Sequence, residues 1–121
     1  MEYLNDLIRQ LTPEQARTFA KECAEQALVA VNNARQAARF TDANPYGPKR
    51  LTKAEEYLEL ARDYASNAQD DNAIEAALDT SDYAIAAIAH AHAKGVAALK
   101  AVKAEGARQK AVLLAHLGAP R

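Results

Sequence analysis

Seven small residues, Ala16, Ala20, Cys23, Ala27, Ala30, Ala34 and Ala37, follow one another at alternating spacings of four and three. On a helix that spacing places all seven on one stripe, and nothing on the stripe is larger than a thiol. Two helix axes meeting along such a seam approach toward the lower end of the usual ~8–10 Å range. A strand would scatter the same positions over both of its faces. The chain is therefore committed to helices packed through small side chains. Composition agrees: 30 of the 121 residues are alanine, against four glycines and four prolines. Alanine is the strongest helix former because it loses no side-chain entropy, and β-branched residues are few. The expected class is all-α, in one domain over residues 1–121. A chain of this size buries roughly two thirds of its unfolded surface.

Start and stop signals divide the chain. Residues 3–11 read as a short amphipathic helix with Leu4, Leu7, Ile8 and Leu11 on one side. "TPEQ" opens the first main helix, 13–40, with Thr12 as cap, Pro13 at the first position and Gln15 completing a capping box. The prolines and glycine of "TDANPYGPKR" break it. "TKAE" reads as a second capping box, Thr52 with Glu55, opening a helix over 52–68. "QDDN" is a tight turn with Asp70 or Asp71 as cap, and the next helix spans 71–94. Gly95 follows a basic residue, as a C-terminal stop does, and the last helix covers 96–117.

The second main helix answers the first with Leu51, Ala54, Leu58, Ala61, Ala65 and Ala68, so an antiparallel pair packed alanine to alanine is expected. The third carries Ile74, Leu78, Ser81, Ile85, Ile88 and His92 on one stripe. That register continues through Gly95, Leu99, Val102, Gly106, Gln109, Leu113 and Leu117. Two architectures produce it. One is an up-down antiparallel four-helix bundle that bends at Gly95. The other fuses the last two helices into one of about 45 residues, ~68 Å long. The bend is preferred, because a lone arm leaves half its seam without an intramolecular partner. Gly106 costs about 1 kcal/mol against alanine inside a helix, and its place on the seam points to a close helix crossing.

Catalytic and metal chemistry finds little support. His90 and His92 lie two apart, about 200° around a helix, and do not share a metal ion. His92 falls on the apolar stripe and reads as packed or hydrogen-bonded; His90 reads as solvated. A carboxylate-bridged di-metal bundle needs inward Glu-x-x-His pairs, and the chain has none. The single Cys23 supplies neither a disulfide nor a zinc set and sits in the alanine seam as a core residue. No phosphate loop or nucleophile elbow is present. No cofactor, metal or catalytic set is expected.

Charge and apolar surplus point instead to contacts. Residues 52–82 hold nine acids and two bases, while residues 94–121 hold six bases and one acid. The simplest arrangement lays the basic last helix beside the acidic middle. The alternative leaves Lys100, Lys103 and Lys110 as a basic face for nucleic acid or an acidic partner. No aromatic residue is interleaved there for base stacking. Tyr57, Leu60 and Tyr64 form a second apolar strip beside the alanine seam, so this helix has two neighbours, one of them core or a second subunit. The stripe of Leu4, Leu7, Ile8 and Leu11 poses the same choice: it lids the bundle or docks on a partner. No leader segment and no run of 18 apolar residues is seen, so a cytoplasmic setting without membrane contact is expected.

Residues 54–93, "AEEYLELARDYASNAQDDNAIEAALDTSDYAIAAIAHAHA", resemble the central helical hairpin of HEPN domains, with alanine-rich helices around a polar turn and then Ser81, Tyr83 and Ala84. RNA-cutting members of that family resemble one another in an Arg followed four to six residues later by a His. The nearest spacing here is Lys110 to His116, with lysine in the arginine's place. The resemblance thus implies a non-catalytic member, of the kind that forms dimeric interaction modules. The expected function is a non-enzymatic helical interaction or regulatory protein that self-associates or binds another protein. A nucleic-acid-binding or HEPN-type RNA-targeting protein using the basic last helix is the alternative.

Overall fold

The computed structural model describes residues 2–37 and 47–118, and among them every regular element is helical. The helices are α1 (Glu2–Ile8), α2 (Pro13–Gln36), α3 (Gly47–Ser66), α4 (Ala73–His90) and α5 (Val96–His116). They pack as a bundle with α4 at its centre. α4 lies most extensively against α2 and α3 and also holds α5, while α1 bridges α5 and α4.

The start of α2 follows from its first four residues. Thr12 Oγ1 accepts from the Gln15 backbone N–H at 3.2 Å, and Gln15 Oε1 accepts from the Thr12 N–H at 2.9 Å. Each side chain thus satisfies a donor that the first turn leaves open. The Gln15 amide also donates to the His116 carbonyl at 2.7 Å, tying the start of α2 to the end of α5. Along α2, Ala16, Ala20, Cys23, Ala27 and Ala34 are buried, joined by the larger Phe19 and Val31.

The seam that meets α2 most closely is on α4, and it is not the stripe of large apolar residues that the sequence suggests. Ala73, Ala77, Thr80, Ala84, Ala87 and Ala91 are buried at spacings of 4-3-4-3-4, while Ile74 and Ile85 are only half-buried. Side-chain size misleads here. Where two backbones come close, the space between them admits only a methyl or hydroxyl group, and the isoleucines are displaced to the flank. α3 contributes Ala54, Leu58, Ala61 and Ala65 to the same core.

Several boundaries differ from expectation. α3 begins at Gly47, not Thr52; the Thr52 hydroxyl donates to the Pro48 carbonyl at 2.9 Å, a mid-helix bond that leaves it no capping role. α4 begins at Ala73, because the Asn72 Oδ1 turns back to accept from the Gln69 N–H at 2.6 Å and Asp70 pairs with Arg17 of α2. α4 ends at His90, four residues early. There Arg50 of α3 donates to the carbonyls of Ala89 at 2.8 Å and His92 at 3.0 Å, so a cation occupies the negative end of the helix. The chain then passes through Gly95 at φ 99°, which only glycine adopts freely, into α5. The helix expected over 13–40 ends early as well. Ala37 is extended, at φ −82° and ψ 129°, and its N–H donates to the Ala34 carbonyl at 3.0 Å, so α2 stops at Gln36. Most of the break that follows lies outside the described residues.

Candidate interaction surfaces

The tyrosines that the α3 strip carries meet an aromatic partner set on α4. Tyr57 and Tyr64 are seven residues apart, as are Tyr83 and His90, so each pair stands on one face two turns apart. Tyr64 stacks on Tyr83 with ring centroids 5.5 Å apart and planes at 11°. Tyr83 in turn stacks on Tyr57 at 6.1 Å, and Tyr57 lies 5.3 Å from the His90 ring. Offset stacking at these separations is favourable beyond area burial alone. The result is a ridge of four rings at the outer surface of the α3–α4 pair. Tyr64 is 38% exposed and Leu60 beside it 39%, with Tyr57, Tyr83 and His90 half-buried. His90 is therefore part of the ridge and not the solvated residue its helix position implies. Its Nδ1 donates to the Ala86 carbonyl at 2.9 Å, which fixes the ring. His92 makes the same kind of bond to Ile88 at 2.8 Å.

Acids border the ridge. Glu56 and Asp63 are exposed on α3, and Asp82 is exposed on α4 beside half-buried Asp79. Partial burial raises the Asp79 carboxyl pKa above its ordinary value, and the neighbouring Glu75 and Asp82 charges push the same way.

The basic residues of α5 do not neutralise this surface. Lys100, Lys103 and Lys110 are exposed, and among the described residues no carboxylate lies within 4.0 Å of their ammonium groups. Lys110 sits 4.8 Å above the Tyr3 ring of α1 instead. The acids of the middle segment pair with α1 and α2: Glu75 with Arg9 at 4.0 Å, Glu55 with Arg35 at 2.9 Å, and Asp70 with Arg17. The expected contact between basic last helix and acidic middle fails because α4 turns Ser81 toward Gln109 of α5 and leaves Glu75 and Asp82 exposed. Val96 and Leu99, at 69% and 56% exposed, continue the lysine face of α5.

The α4–α5 contact is polar at its centre, which the sequence stripe did not disclose. Ser81 Oγ donates to Gln109 Oε1 at 2.5 Å, and Gln109 Nε2 donates to Glu105 Oε2 at 2.9 Å. Glu105, 4% exposed, takes both Nε and Nη2 of Arg108 at 2.7 Å. Hydrogen bonding to Glu105 raises the Arg108 pKa and keeps it charged. Cys23 of α2 packs against this pair, and burial drives its thiol pKa far above the ordinary range. A groove of about 530 Å³ lies beside the network between α2 and α5, floored by small residues such as Ala30, Ala34 and Ala104. Among the described residues no buried side-chain nitrogen or oxygen lacks a hydrogen-bond partner.

Leu4, Leu7, Ile8 and Leu11 are buried in the chain's own core, where α1 covers one end of α5. Lys110 and His116 do not converge: the His116 Nε2 meets Glu22 Oε1 at 2.9 Å, on another side of α5 from Lys110. Among the described residues no group of three or more His, Cys, Asp or Glu is placed to hold a metal ion, and no helix is long and apolar enough to cross a membrane. Comparison with protein families, with characterised proteins and with solved structures finds no match to this chain.

Proposed function

We propose that this chain is a helical interaction module that works by protein contact, not by chemistry on a substrate, and that the aromatic ridge of α3 and α4 is the surface it presents. The observation that carries the reading is the stack of Tyr57, Tyr64, Tyr83 and His90 with Leu60 at its side, partly open to solvent. Stacked rings are held rigid, so little side-chain freedom remains to be lost when a partner covers them, and tyrosine is enriched among the residues that dominate binding energy. Self-association belongs to this proposal, as does an up-down four-helix arrangement capped by α1. The HEPN-like character of residues 54–93 supports it, since members lacking the Arg/His pair serve as dimeric modules. A buried Cys23 thiol suits a reducing, cytoplasmic setting.

The test is a photocrosslinking amino acid placed at position 60, compared with one at exposed Lys21 of α2, in the cells that make the protein. Position 60 is expected to capture a discrete protein band and position 21 none. Equal capture from both, or none from position 60, refutes the reading.

The exposed α5 lysines favour a second reading, an anionic ligand such as RNA. It predicts retardation of RNA at low salt that is lost on charge reversal of Lys100, Lys103 and Lys110. Absence of retardation disposes of it.

A further inference from the structure

We propose that the occupant of the aromatic ridge is α5 of a second copy of this chain, laid over Tyr57, Leu60, Tyr64 and Tyr83 through the strip of Val96, Leu99, Lys100, Lys103 and Lys110. The proposal rests on the ridge being a contact surface and goes further by naming what covers it.

Complementarity carries the argument. The ridge is apolar along its crest and acidic along its borders, at Glu56, Asp63, Asp79 and Asp82. The α5 strip is the converse. Lys100, Lys103 and Lys110 fall within about 80° of the helix circumference at 100° per residue, with Val96 and Leu99 exposed among them. Both surfaces are left largely unpaired within the chain: of the four ridge acids, among the described residues only Glu56 meets a cation, Lys53 of its own helix at 3.3 Å. The α5 lysines have no carboxylate partner among the described residues, and the three acids Glu75, Asp79 and Asp82 crowd one another on α4 with only the distant Arg9 opposite.

The chain has no means of joining the two surfaces by itself. On α4, Ser81 faces Gln109 of α5, whereas Tyr83 faces Tyr57 and Tyr64 of α3. Two residues apart on a helix is about 200° around it, so α4 stands between its own α5 and its own ridge. A contact between them is necessarily intermolecular. Because it joins two different patches, it is heterologous. It closes as a two-fold pair if both contacts form together, and otherwise extends from copy to copy.

Charge swapping tests this directly by sedimentation velocity on the full chain. The wild type is expected to associate at about 50 mM salt and at least tenfold more weakly at about 500 mM, where the Debye length falls to ~4 Å. K100E/K103E/K110E and E56K/D63K/D82K alter only exposed side chains. Each is expected to self-associate at least tenfold more weakly than wild type, and an equimolar mixture of the two to associate again. A mixture that stays monomeric overturns the proposal. So does wild-type association that is insensitive to the α5 reversal but abolished by Leu60→Glu, which makes the ridge pair with itself and leaves the interaction reading intact. A wild type that is monomeric at low salt while position 60 still crosslinks to a different protein also overturns it, and assigns the ridge to that protein. Failure of crosslinking from position 60 removes the broader reading as well.

Discussion

Ala84→Leu is the sharpest probe of the packing. Ala84 is fully buried at the middle of the α4 seam, with Ala77 and Ala91 one heptad to either side and the small-residue seam of α2 opposite. Three added carbons find no space between backbones held at that distance. Either the leucine leaves its rotamer well or the helices move apart. Overpacking of a well-filled core costs typically 1–3 kcal/mol and occasionally more. A site where both contacting surfaces are methyl-sized should lie at the upper end, near 3 kcal/mol. For a domain of this length that corresponds to a fall in Tm of roughly 9–15 °C, read by circular dichroism. Ala107→Leu on the exposed side of α5 is the control and should stay within about 0.5 kcal/mol of wild type. Equal Tm values for the two variants would refute close approach along the seam.

Other outcomes follow from the same packing. Ser81→Ala removes the donor to Gln109 Oε1 inside a fully buried contact. It should cost about 1–3 kcal/mol in chemical denaturation, whereas Ser66→Ala at the exposed end of α3 should cost almost nothing. Asp79 binds its proton more readily folded than unfolded. Its charge therefore opposes folding at neutral pH, and that opposition fades as pH falls through the raised pKa. Asp79→Asn should accordingly raise the denaturation midpoint at pH 7, with the gain shrinking toward zero below about pH 4; a gain unchanged by pH contradicts the assignment. Cys23 is buried with its thiol held protonated. Modification by a thiol reagent at pH 8 should follow the global unfolding rate, and rapid labelling of the native protein would contradict that placement.

The α2 seam was legible because every signal lay within one helix: a cap, a proline and a run of small residues in strict 4-3 alternation. The α4 stripe held in part, since Leu78, Ser81 and Ile88 are buried, but the row of small residues beside it was not legible because hydrophobic size is the usual marker of burial. In an alanine-rich bundle the closest contacts select the smallest side chains, and Ile74 and Ile85 move to the flank. The false capping box at Thr52 shows the limit of local motifs, since nothing in Thr-Lys-Ala-Glu reveals that a helix has already begun at Gly47. Half of the aromatic ridge was visible as Tyr57, Leu60 and Tyr64 on one helix. Tyr83 and His90 were not, because their membership depends on which face α4 turns to α3. The Ser81–Gln109–Glu105 chain escaped for the same reason: Ser81 and Gln109 sat on the anticipated stripes, but their pairing is a property of two helices packed together.

The central claim, that the ridge and the α5 strip are contact surfaces, is tested most directly by amide chemical shifts recorded on dilution of the full chain. The account predicts concentration-dependent shifts confined to residues 56–64, 79–90 and 96–110, with the buried seam of α2 unmoved. Shifts spread evenly over all five helices, or none in those three segments across the range where the protein associates, would contradict it.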